Sequence, residues 1–103
     1  MIELTWAIEL DDMDLHLLAP DGELNSETDC YYANCVGGSM DWGEKGNPDD
    51  DPWLVLDDIP GTGPEVIIIG EPADEAYTVV VHDYPSSRYT DANDVTVDIY
   101  VLG

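Results

Sequence analysis

The first ten residues set the terms for any fold. Ile2, Leu4, Trp6, Ile8 and Leu10 alternate with Glu3, Thr5, Ala7 and Glu9. An extended chain would therefore place every large apolar side chain on one face. The same period returns at 13–19, with Met13, Leu15 and Leu17 set against Asp14, His16 and Leu18. Short apolar runs follow at 53–57 and 65–70, and β-branched, aromatic-rich runs at 76–84 and 94–102. Turn chemistry separates them: Ala19-Pro20-Asp21-Gly22, the Gly- and Pro-rich stretch 58–64, and the polar stretch 85–93. No ten-residue window carries apolar residues at helical spacing. The expectation is an all-β chain, an antiparallel β-sandwich of jelly-roll or immunoglobulin-like type. It would have about seven or eight strands and no substantial helix. Residues 1–103 form one domain at this length.

Charge is the second constraint. The chain carries 24 Asp and Glu against 2 basic residues, for a net charge of -22. Self-repulsion at that density opposes compaction. A hydrophobic content of 44% nonetheless supplies a core, which argues against disorder. Nucleic acid and anionic membranes need a basic face, so neither is expected as a partner. No apolar run approaches the roughly 20 residues that span a bilayer, so no membrane insertion is expected. Met1 is followed directly by Ile2 and Glu3. That is no secretory leader, and it suits a domain taken from a larger parent chain.

The acids cluster where strands begin and end. Asp12 and Asp14 open the second strand and point to one face, with His16. Asp57 and Asp58 close a strand, and Glu65 follows a Gly-Pro turn. Carboxylates held together repel unless they are protonated or bind a cation. Calcium takes six to eight oxygens from carboxylates, carbonyls and water. Asp12, Asp14, Asp57, Asp58 and Glu65, with the side-chain carbonyl of Asn34, are therefore the expected calcium ligands. Asp41, Asp49 and Asp51, in the long irregular stretch 36–52, offer a second site, although acid runs in loops are more often a solvated face. No EF-hand pattern is present. His16 and His82 sit inside strand patterns. They could join a carboxylate on a transition metal if their strands were neighbours, but partly buried, hydrogen-bonded strand residues are the expectation.

Cys30 and Cys35 would stand roughly 16 Å apart on an extended strand, whereas a disulfide allows less than about 7 Å. A bond between them requires a tight turn and implies an oxidising compartment. The bonded form is the expectation, with two unrelated buried thiols the alternative. Trp42 and Trp53 flank the acidic stretch, and exposed aromatics beside calcium would suit stacking on a sugar; core packing is the commoner fate. No nucleophile elbow or other catalytic pattern is present, so no enzyme is expected.

These segments together carry a family resemblance. Asp12-Met13-Asp14-Leu15-His16-Leu17 with Pro20-Asp21-Gly22, Cys30-Tyr31-Tyr32-Ala33-Asn34, Asp41-Trp42-Gly43, Leu56-Asp57-Asp58 with Gly61-Thr62-Gly63-Pro64-Glu65, and Tyr77-Thr78-Val79 to His82 follow in that order. The chain resembles a bacterial β-sandwich family of secreted and cell-surface proteins, of myxobacterial type, related to domain of unknown function 2135. The resemblance covers nearly the whole chain and implies an extracellular accessory module, one of several domains in a larger protein, with no known activity. The sequence departs from the family at Val55, where another Asp would be expected. The resulting expectation is a calcium-binding, non-catalytic module of a secreted or cell-surface protein, acting in adhesion or as a spacer. Its partner would be a carbohydrate or a surface protein. A calcium-dependent carbohydrate-binding module and a salt-adapted acidic domain without a metal site are the alternatives.

Overall fold

The computed structural model describes residues 1–9, 11–57, 61–84 and 92–101. Seven strands run in chain order: β1 (Ile2–Trp6), β2 (Met13–Leu18), β3 (Asp29–Cys30), β4 (Pro52–Leu56), β5 (Glu65–Ile69), β6 (Thr78–Asp83) and β7 (Val95–Ile99). One turn of 3-10 helix, Pro48–Asp50, is the only helical element among the described residues. The strands form two antiparallel sheets, ordered β4-β5-β1-β7 and β3-β2-β6. The all-β, two-sheet expectation is met.

The alternation read from the sequence becomes the inner face. Ile2, Leu4 and Trp6 of β1 are buried, as are Met13, Leu15 and Leu17 of β2. With Leu54, Ile67, Trp42 and the two cysteines they make one core. Each fully buried Leu or Ile contributes about 1.5–3 kcal/mol by leaving water. Across the core, β3 packs over β4 and β2 over β5. The strand orders then set β6 over β1 and leave nothing of the three-stranded sheet opposite β7.

Strand β1 ends at Trp6 instead of running to residue 10. The Ala7 N–H is shared between the Asp94 carbonyl and Asn93 Oδ1, both at 3.1 Å, and the Ile8 N–H donates to Asn93 Oδ1 at 3.2 Å, so a side chain takes over as the backbone pairing ends. Leu10 and Asp58 lie outside the described residues. Strand β3 is an element the sequence does not announce, because its two residues exist only by pairing with Leu17 and Leu18. Cys30 and Cys35 are bonded, with Cα atoms 5.1 Å apart. The segment between them is the tight turn that bond requires, closed by Asn34 and Cys35 N–H groups on the Tyr31 carbonyl. The two ends of the sandwich meet: Met1 nitrogen donates to Tyr100 oxygen at 2.9 Å, and Tyr100 N–H to Met1 oxygen at 2.8 Å.

Candidate metal centre

The acidic centre is assembled by three local features. The first is the start of β2. Asp12 precedes the strand and its carbonyl accepts the Tyr84 N–H at 2.8 Å, so it is already held against the chain leaving β6. Asp12 and Asp14, two residues apart, share a side.

The second is the entry into β5. Gly63 has φ +91°, and a Cβ there would meet Leu4 oxygen at 2.7 Å, so this tight approach to β1 excludes a side chain. Trp6 N–H donates to Thr62 oxygen at 3.0 Å, continuing the pairing. Glu65 thereby lands opposite Leu4. Because Leu4 faces inward, Glu65 does too, and it is fully buried. Its Oε1 crosses to the other sheet and accepts the Leu15 N–H at 3.1 Å. That N–H is reachable because β3 pairs with β2 only at Leu17 and Leu18.

The third is a bulge in β4. Leu54 pairs with Ile67, but Leu56 pairs with Val66, so Val55 is an extra residue. Without it Leu56 would follow Leu54 onto the inner face. With it Leu56 lies on the outer row and is half exposed, and Asp57 turns toward Glu65.

Asp12, Asp14 and Glu65 each offer an oxygen within 4.8 Å of the others. Asp14 Oδ2 and Glu65 Oε2 are buried and meet no hydrogen-bond donor. Nδ1 of His82 stands 3.9 Å from Asp14 Oδ2, beyond hydrogen-bonding distance. Burial pushes Asp14 up to about 7, and the charges of Asp12 and then Asp57 add to it. Burial pushes Glu65 up to about 9 against the opposing pull of the Leu15 N–H, with Asp57, Asp14 and Asp12 raising it further. The arrangement is a pocket of negative charge short of cations, and it could hold a metal ion.

The remaining expected site residues lie elsewhere. Asn34 closes the disulfide turn: its Nδ2 donates to the Ser26 and Asp29 carbonyls and its Oδ1 accepts the Tyr31 N–H. Asp41, Asp49 and Asp51 do not converge among the described residues. Asp41 Oδ1 accepts the Gly46 N–H at 3.0 Å, Asp51 accepts the Trp42 N–H, and Asp49 is exposed. Two of the three therefore fold their own loop. Of the two fates open to Trp42 it takes the commoner, core packing: it is buried, stacks on Tyr77, and donates from Nε1 to Glu27 oxygen at 2.8 Å. Trp53 is 46% exposed.

His16 and His82 do lie on neighbouring strands, their rings 6.1 Å apart. His16 is buried with Nδ1 2.7 Å from Asp29 Oδ2, under the ring of Tyr31. Sequence reasoning missed Asp29; Asp11, beside the acids at the start of β2, is buried and its Oδ2 accepts from Asn93 Nδ2 at 3.0 Å. Asp29 belongs to the two-residue strand β3, which alternation does not encode. Comparison with protein-family models, curated proteins and solved structures finds no match.

Proposed function

We propose that the chain is a calcium-stabilised, non-catalytic β-sandwich module of a secreted or cell-surface protein. One observation carries the reading: a carboxylate from each sheet, Asp14 and Glu65, holds a buried oxygen without a donor. A buried carboxyl in that state must keep a proton or take a cation. The donors are all oxygen, which selects a hard ion over zinc or copper. Among hard ions calcium is the proposed occupant, because it takes six to eight oxygens in a flexible shell and accepts carboxylates with carbonyls and water. Asp57 and water would complete the shell. The Cys30–Cys35 disulfide supports an oxidising, extracellular setting, and the resemblance to secreted bacterial modules is part of the same proposal. Burial of Trp42 counts against the sugar-stacking alternative.

Isothermal calorimetry and melting curves with calcium, magnesium and chelator test the reading. The expected result is calcium-specific heat and a raised melting temperature, both abolished by Asp14→Asn. Stabilisation by molar KCl with no divalent preference would replace it with salt adaptation.

A further inference from the structure

The strand count of the two sheets is unequal, and the consequence is local. Val95, Val97 and Ile99 of β7 stand opposite Trp6, Leu4 and Ile2 of β1, so they face inward. Yet Ile99 is 60% exposed and Val95 39%. The reason is the stacking order: β3 lies over β4 and β2 over β5, and the three-stranded sheet runs out before it reaches β7. At the Ile99 end this leaves an opening of about 490 Å³, lined among others by Ile2, Leu17, Tyr77, Val79, Ile99 and Val101. Beside it, β6 is paired only with β2 among the described residues. The uncovered apolar row and the free backbone edge adjoin, and one added strand would satisfy both.

We infer that the edge of β6 accepts a strand from another polypeptide, with aliphatic residues at alternate positions and basic residues between and beside them. Main-chain bonds to Thr78–Asp83 would extend the three-stranded sheet to four. Aliphatic side chains on its inner face would cover Val95, Val97 and Ile99 and fill the opening. The basic character follows from the rim. Glu71 lies between Gly70 and Pro72, which line the opening, and Asp74 and Glu75 follow on the surface. The whole chain has two basic residues, so a second copy would bring like charge to this edge, whereas a cationic strand is attracted.

The test uses the full chain at fixed calcium and physiological ionic strength, so that it reads independently of the ion site. The probe is an eight-residue peptide of alternating Val and Lys. Its control is the same peptide N-methylated at the residues facing β6, which keeps charge and apolarity but cannot form the ladder. The expected result is slowed amide exchange in β6 with the first peptide, and binding weaker by about tenfold or more with the control. Ile99→Glu, at an exposed position, should keep the melting temperature and lose binding. Equal binding of both peptides, or unchanged binding by Ile99→Glu, overturns the inference as charge adsorption alone. Concentration-dependent dimerisation that buries Ile99 without peptide overturns it in favour of a second copy. Decanol occupying the opening and excluding the peptide overturns it in favour of a small apolar ligand.

Discussion

Replacing Glu65 with Gln should stabilise the metal-free protein and lose that advantage in calcium. The ordinary value of this carboxyl is 4.5, and burial lifts it to about 9. A carboxyl whose folded value lies above its unfolded one stabilises most below the unfolded value and loses that stability as pH rises through the folded one. The metal-free protein should therefore weaken from about pH 4.5 to about pH 9, with Asp14 adding a fall between 3.8 and about 7. At pH 7, holding the Glu65 proton costs the fold about 3 kcal/mol, at about 1.4 kcal/mol per pH unit. Gln carries no such cost. It keeps an acceptor for the Leu15 N–H and turns its amide donors toward carboxylates. In chelator at pH 7 and high ionic strength, Glu65→Gln should melt higher than wild type. The gain should be up to about 3 kcal/mol, roughly 12 °C or more for a domain of this size. In calcium at about a hundred times its dissociation constant, wild type gains about 2.7 kcal/mol and the variant, lacking an anionic ligand, gains little. The gap between the two should close or invert. Differential scanning calorimetry in the two buffers reads both arms. A variant that melts below wild type in chelator, or equal gains from calcium, would refute the account of the site.

Three further outcomes are expected. Asp57→Asn should weaken calcium affinity by calorimetry, whereas Asp49→Asn should leave it unchanged, because Asp57, and not Asp49, acts on Asp14 and Glu65. Reducing the Cys30–Cys35 bond should cost about 2 kcal/mol for so short a loop, read as a fall in melting temperature of about 10 °C. Trp42→Ala should cost about 3–5 kcal/mol by urea unfolding, through its Glu27 bond and Tyr77 stacking, while Trp53→Ala stays within about 0.5 kcal/mol.

The strands were legible because each sheet has one inner face and alternation records it. Six of the seven follow directly from the apolar runs, with ends shifted by a few residues. Strand β3 was not legible, since a two-residue strand has no period. Asp12, Asp14 and Glu65 were legible as acids abutting apolar strands, but their convergence depends on β3 stopping short and on Gly63 setting the register of β5. Asp57 owes its orientation to the bulge at Val55, which no local pattern signals. Asn34 shows the same limit of local pattern. An Asn beside a disulfide turn satisfies backbone groups of that turn, and its type alone does not say which oxygens or nitrogens remain. Trp42 could be read either as an exposed stacking residue or as core, and the acidic stretch folds back and buries it against Tyr77.

The bonds between Met1 and Tyr100 give the molecule a mechanical character. Tension applied through its two ends would pull β1 and β7 apart at a shared end, and their hydrogen bonds would break one after another instead of all together. Such a zipper opens at low force. A linear tether would be poorly served by it, since the ends sit side by side and add almost no reach.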